Sequence, residues 1–132
     1  MIDVRVQTEV DAERVSKEIL AIEPETPGVE LDIDGFIGRP PLEPTPANQA
    51  LWSVAKTLGG RIGLDLSEGL AGGGSDGSTA SLYTATLDGL GPVGDGAHAR
   101  HEHLLLDKTE ERTALLALLI LHPPLEIPDA DD

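Results

Sequence analysis

Residues 1–35 read MIDVRVQTEVDAERVSKEILAIEPETPGVELDIDG. Apolar and polar residues alternate over 2–6 and again over 29–33, which is the period of a half-buried strand. Between them, Thr8 offers a helix cap, and apolar residues follow at helical spacing over 12–22. The stretch predicts a β-α-β unit, which is too small to cover its own strands and therefore needs further strands from elsewhere.

A proline-rich connector follows the first unit, with four prolines between residues 40 and 46. Such a segment is stiff and extended, and it predicts a boundary between two structural regions. We place the first region at 1–37, the second at 38–125 and a disordered acidic tail at 126–132. The second region is expected to contain a helix over 46–58, with Thr45 as its cap, Pro46 in its first turn and glycines 59–60 as its stop. A helix over 76–83 and a last helix that Thr109 caps and that runs through Leu121 should follow. Short strands are expected over 64–66 and 84–90, and a glycine-rich loop over 91–100.

The composition limits the chain to one compact core. Its 132 residues are 39% hydrophobic, yet only three of them are aromatic. A core must therefore be built from Leu, Ile, Val and Ala. The overall fold class expected from the alternating elements is α/β.

The charge balance restricts the possible partners. Nine basic against 24 acidic residues leave a net charge of −15, which repels phosphate backbones and anionic lipid surfaces. We therefore expect neither nucleic acid nor membrane as a partner. The absence of cysteine excludes disulfides and thiolate metal sites. No signal segment precedes the first strand pattern, so we expect a cytoplasmic protein whose sequence begins midway through a domain.

The glycine-rich segment 72–77 matches three patterns. Gly72, Gly74 and Gly77 have the spacing of a dinucleotide-binding loop, but the acidic residue expected about twenty positions later is not at the end of a convincing strand. The same segment can also be a tight turn into a helix.

A glycine-flanked serine is the second pattern in this segment, and the third is part of a longer set of motifs described below. Ser75, followed by Asp88 and His98, has the chain order of a small serine hydrolase. The strand before Ser75 is short, however, and the chain is too small for the sheet that carries such a serine.

A longer set of motifs resembles a known family. The motifs are AGGGSDG at 71–77, TLDGLG at 86–91, GAH at 96–98 followed by Glu102, and upstream GRPPLEPTP at 38–46. Together they resemble the C-terminal part of the glutamate carboxypeptidase, acetylornithine deacetylase and succinyl-diaminopimelate desuccinylase family of zinc metallopeptidases. Their order and spacing agree with that family over nearly the whole chain.

The resemblance implies a fold and a parent activity. Residues 1–37 would be the β-α-β half of a lid or dimerisation domain, and 38–125 part of the catalytic domain. The parent activity would be zinc-dependent hydrolysis of the amide bond of N-acyl amino acids or small peptides.

The resemblance also implies roles for single residues. His98 matches the histidine that completes a site for two zinc ions. Gly74 and Ser75 match the loop beside the substrate, and Arg39 matches the arginine that holds a substrate carboxylate. This set of groups suits amide hydrolysis of a ligand with a free carboxylate.

The departures from the family pattern limit what this chain can do alone. Ala71, Asp95 and His103 differ from the usual residues, and the upstream His-x-Asp, the bridging aspartate, the Glu pair and a further acid are absent. One histidine cannot hold a catalytic zinc, which needs about three protein ligands. His101 and His103 could add only a weak adventitious site beside His98. We therefore expect no catalytic residue within this chain and no activity from it alone.

The expected partners follow from what is missing. They are the N-terminal catalytic part or an intact homologue, with a homo-oligomer as a further possibility. The alternative function is a non-catalytic assembly module that pairs with an intact homologue. In either case the chain alone should be marginally stable or self-associate, since both regions leave apolar faces and strand edges uncovered.

Overall fold

The computed structural model describes residues 2–69 and 74–125. These residues form two compact units. The first unit contains the residues up to Glu43 and the segment that ends at Thr84. The second unit contains Pro44–Gly69 and the segment from Ala85. The predicted tail 126–132 and the glycines Gly72 and Gly73 lie outside the described residues. The elements are α1 (Glu9–Leu20), α2 (Pro46–Arg61), α3 (Asp76–Ala80), β1 (Gly94–Asp95), β2 (His103–Leu104) and α4 (Leu106–Leu121).

Helix α1 of the first unit confirms the predicted capped helix. The side chain of Thr8 accepts a hydrogen bond from the backbone N–H of Asp11, with an N···O distance of 3.1 Å. Arg14 then bridges Asp11 and Glu18, each at 3.0 Å. Ala12 is the buried residue of this helix. Local capping and i,i+3 and i,i+4 ion pairs therefore support a helix with little packing.

The Asp11 contacts predict a pH dependence of α1. Hydrogen bonds from Arg14 and Thr8 lower the pKa of Asp11 below its ordinary value of 3.8. Because the pKa of Asp11 is lower in the folded state, its carboxylate stabilises the helix at pH values above the pKa of the unfolded chain. This contribution is lost as the pH falls through the pKa of the folded state. We expect the Asp11 carboxyl to titrate below 3.8 by NMR, and Arg14→Gln to raise its pKa. An unchanged titration in Arg14→Gln would contradict this prediction.

The predicted strands of the first unit are wrong. Residues 2–6 and 29–33 form no strand, and their side chains are largely exposed, with Ile2 82% and Leu31 48% accessible. The reason is physical: alternation marks a segment that suits a sheet, but a strand needs a hydrogen-bonded neighbour. No neighbouring strand is present for either segment in the described part of the chain.

Helices α2 and α4 form the packed centre of the second unit. Ala55 and Leu58 of α2 are 1% and 6% exposed, and Leu115 of α4 is 0% exposed. The side chain of Thr45 caps α2 and Pro46 occupies its first turn, as predicted. The helix nevertheless continues through the predicted stop at 59–60 and ends at Arg61. Few other hydrophobic side chains among the described residues are buried, so this core is small.

Helix α4 begins earlier than predicted. It starts at Leu106, and the side chain of Thr109 caps nothing; its hydroxyl donates to the backbone carbonyl of Leu105 at 3.0 Å. The predicted end before His122 is confirmed. The apolar run of this helix is covered on one side only, because Leu115 is buried whereas Ile120 is 75% exposed.

The remaining predictions of the second region are corrected in part. Residues 64–66 and 84–90 form no strand, and the predicted loop 91–100 contains β1, which pairs antiparallel with β2. A Cβ placed on Gly94 would collide with the backbone carbonyl of His103, so the hairpin requires glycine there. The predicted helix over 76–83 is confirmed as α3, which is shorter and ends at Ala80.

The architecture is mixed, with four helices and one two-stranded sheet in the described residues. This agrees with the α/β expectation only at the level of helix and strand content. No described helix combines the length and the apolar composition that a membrane crossing needs.

Candidate functional site

Arg39 and Gly74, two of the predicted substrate-binding residues, lie together in the first unit. The aliphatic stem of Arg39 runs so close to Gly74 that a Cβ placed there would lie 3.0 Å from Cδ of Arg39. A larger residue at position 74 would displace the arginine. The proline connector and the glycine segment, which are distant in sequence, therefore meet at this contact.

Among the described residues, the guanidinium of Arg39 forms its ion pair with Asp76 in the first turn of α3. Their closest nitrogen and oxygen are 3.6 Å apart, and the two side chains are 58% and 101% exposed. This distance exceeds that of a charge-assisted hydrogen bond, about 2.7–2.9 Å. An exposed pair of this kind contributes roughly 0–1 kcal/mol. Arg39 thus keeps its hydrogen-bond donors accessible. We call Arg39, Gly74 and Ser75 the arginine corner.

Ser75 has a structural role in the arginine corner. Its hydroxyl accepts a hydrogen bond from the backbone N–H of Gly77 at 3.1 Å, and so caps α3. The structure therefore accounts for this serine without a nucleophilic function. The other two residues of the serine-hydrolase alternative, Asp88 and His98, belong to the second unit. Asp88 accepts a hydrogen bond from the N–H of Gly89 at 2.7 Å.

His98, the predicted zinc ligand, lies in the turn between β1 and β2. It is exposed and has a φ of 66°, in the left-handed region that non-glycine residues seldom adopt. Backbone hydrogen bonds fix the turn around it: Ala99 N–H donates to Gly96 O at 2.8 Å, and Glu102 N–H to Ala99 O at 3.1 Å. The hairpin therefore presents this imidazole to solvent in a defined backbone conformation.

The neighbouring histidines belong to the same hairpin. His103 Nδ1 lies 3.1 Å from the carbonyl oxygen of His101, to which it can only donate. His103 Nε2 is then the nitrogen that carries the lone pair in the neutral ring. Glu102, between them, is exposed.

The described residues do not fit a zinc site. No group of three or more His, Asp or Glu side chains in residues 2–69 and 74–125 is arranged to hold a metal ion. His98, His101 and His103 are close in sequence, but the hairpin does not bring them together as ligands. Catalytic zinc needs three protein ligands and an open position, so we derive no reaction step through a metal in this chain.

Sequence reasoning missed the buried polar residue Asn48. Asn48 of α2 is 7% exposed, and its Oδ1 accepts a hydrogen bond from the backbone N–H of Thr86 at 2.8 Å. This contact ties the segment after Ala85 to α2 within the second unit. An asparagine inside the apolar stripe of a helix was the available signal, since a buried amide requires a partner.

Comparisons with known proteins give no further assignment: the chain matches no protein-family model, no curated protein and no solved structure.

Proposed function

We propose that this chain is the carboxylate-binding, C-terminal part of a zinc-dependent amidohydrolase that acts on N-acyl amino acids or small peptides, and that it is inactive alone. The observation that carries the proposal is the contact between Arg39 and Gly74. The two residues come from separate motifs that resemble substrate-binding elements of that family. The zinc ligands and the general base would be supplied by residues outside this sequence.

The arginine corner suits recognition of a single carboxylate. A guanidinium presents a planar fork of donors that matches the two oxygens of a carboxylate. The absence of a side chain at Gly74 leaves room for the stem of Arg39, since a Cβ there would lie 3.0 Å from its Cδ. The weak pairing with Asp76 can be replaced by a ligand carboxylate, because both partners are already hydrated.

A titration of the isotopically labelled chain with N-acetylglycine tests the arginine corner. We expect saturable NMR shifts at residue 39 and at 74–77, with millimolar affinity, and no comparable response to N-acetylglycinamide, which lacks the carboxylate. Arg39→Ala should abolish the response. Arg5→Ala is the matched control, because Arg5 is another exposed, ion-paired arginine of the same unit. Equal responses to the acid and the amide would contradict the proposal.

A reconstitution experiment tests whether this chain can complete an active enzyme. Mixed with the N-terminal part of an intact family member, the chain should give zinc-dependent hydrolysis of an N-acyl amino acid, and His98→Ala should reduce it. The chain alone should give none. A mixture that forms a complex but has no activity would contradict the proposal that this chain is part of the catalytic domain.

A second candidate function is an assembly module. The observation that favours it is that segments 2–6 and 29–33 form no strand within the described residues and expose apolar side chains, namely Ile2, Val4, Val29 and Leu31. Such segments can add to the edge of a sheet in an intact homologue. Size-exclusion chromatography with that homologue tests this function. Co-elution of the two proteins supports it. Separate elution, together with activity in the reconstitution experiment, excludes it.

A further inference from the structure

The second unit contains a cleft that the proposed function does not use. Its volume is about 260 Å³, and it is formed by residues 63–66, Val93 and the first two turns of α4. This is just below the roughly 300–1,000 Å³ of pockets that hold drug-sized ligands. We call it the α4 cleft; its size fits a ligand of a few carbon atoms.

The walls of the α4 cleft are held by backbone hydrogen bonds. The N–H of Leu64 donates to the carbonyl of Gly59 at 2.9 Å, and the N–H of Leu105 donates to that of Val93 at 2.9 Å. Leu64, Leu66 and Val93 are half-buried and line the cleft. The cleft therefore offers a partly preformed aliphatic wall.

Arg112 is the unusual charge of the α4 cleft. Five of the nine basic residues form ion pairs within the described chain. Of the others, Lys56, Arg61 and Arg100 are exposed, whereas Arg112 is half-buried. This guanidinium is partly removed from water and has no carboxylate partner in residues 2–69 and 74–125, so it favours an anion from outside the chain.

The other charges of the cleft decide what kind of anion fits. Lys108 is already neutralised by Glu111, whose two oxygens lie 2.8 and 2.9 Å from Nζ. Asp65 also lines the cleft, and it forms no ion pair among the described residues. An unpaired carboxylate repels a simple anion but attracts an ammonium group. One cation and one anion, both unpaired and beside the same aliphatic wall, match a ligand that carries both opposite charges.

We propose that the α4 cleft binds a free α-amino acid with an aliphatic side chain. Arg112 holds the carboxylate, Asp65 holds the ammonium group, and Leu64, Leu66 and Val93 contact the side chain. The inference is independent of the arginine corner, which lies in the other unit.

The test is an NMR titration of the full labelled chain with L-leucine. We expect saturable shifts confined to residues 63–66, 93 and 108–112. Two analogues are compared: 4-methylpentanoate, which lacks the ammonium group, and 3-methylbutylamine, which lacks the carboxylate. Both should bind more weakly than leucine. Absence of saturable shifts, or equal binding of either analogue, overturns the proposal without any substitution.

Variants then test which side chain binds the carboxylate of leucine and which binds its ammonium group. Arg112→Gln should weaken leucine binding about tenfold or more, because a charge-assisted hydrogen bond is lost. Asp65→Asn should weaken leucine binding and remove the advantage of leucine over 4-methylpentanoate. Arg100→Gln is the control, since Arg100 is equally unpaired but exposed and outside the cleft, and it should bind as the natural chain does. Leucine binding that is unchanged in Arg112→Gln would overturn the proposal. Shifts at 39 and 74–77 instead would assign leucine to the arginine corner and also overturn it.

Discussion

Leu115→Ala is expected to remove the cooperative unfolding transition of the second unit. Leu115 is the largest fully buried side chain of the described residues, at 0% exposure. Truncation of a buried leucine to alanine costs about 2–5 kcal/mol through lost burial and the cavity left behind. Small domains have roughly 5–15 kcal/mol of stability in total. Because the core of this unit is small, the substitution should remove most of its free energy of unfolding.

Chemical denaturation followed by circular dichroism measures this effect. Leu116→Ala is the matched control, because Leu116 is the next residue of α4, has the same side chain and is 41% exposed. Its substitution should cost less than about 1 kcal/mol. If both variants shift the midpoint equally, Leu115 is not the centre of the packing.

Asn48→Ala is expected to have the second largest effect. The substitution removes the acceptor of the Thr86 N–H at a position that is 7% exposed. A part-buried donor that loses its partner costs about 1–3 kcal/mol. Deuterium exchange of the Thr86 amide should accelerate, and the free energy of unfolding should fall by that amount.

The control for Asn48 is the next residue along α2. Gln49 makes an exposed hydrogen bond to Glu68 at 3.0 Å, so Gln49→Ala should change neither the exchange of Thr86 nor the stability appreciably. Unaltered exchange of Thr86 in Asn48→Ala would show that the amide is protected by other contacts.

The helices could be predicted from the sequence because their signals are local. Thr8 and the pair Thr45–Pro46 cap the helices that follow them, as expected. The start of α4 was missed because the hydroxyl of Thr109 has a competing acceptor, the carbonyl one turn earlier. A threonine before an apolar run matches the same sequence pattern whether it caps the helix or donates to the carbonyl one turn earlier.

The strands could not be predicted in the same way. Alternation over 2–6 and 29–33 indicates a suitable segment, but the partner that makes it a strand lies outside any local pattern. The β1–β2 hairpin was missed for the opposite reason, since each strand has only two residues. Such short strands carry no period that a sequence can show.

The candidate sites were predictable to different degrees. The motif resemblance predicts Arg39 and Gly74 separately as substrate-binding residues, but it did not predict that they lie close together. The α4 cleft had no motif, because Asp65 and Arg112 are ordinary charged residues until the fold places both beside one cavity. A property that depends on two distant segments cannot be read from either segment alone.

The packing of α2 against α4 has a consequence during translation. Helix α2 is complete at Arg61, but α4 is synthesised only after residue 105. In a nascent chain, the apolar stripe of α2 is therefore exposed to solvent until α4 has been synthesised. Exposed apolar segments of this kind are the usual substrates of chaperones that act at the ribosome. Ribosome-bound chains that end before α4 should consequently aggregate more readily than chains that include it.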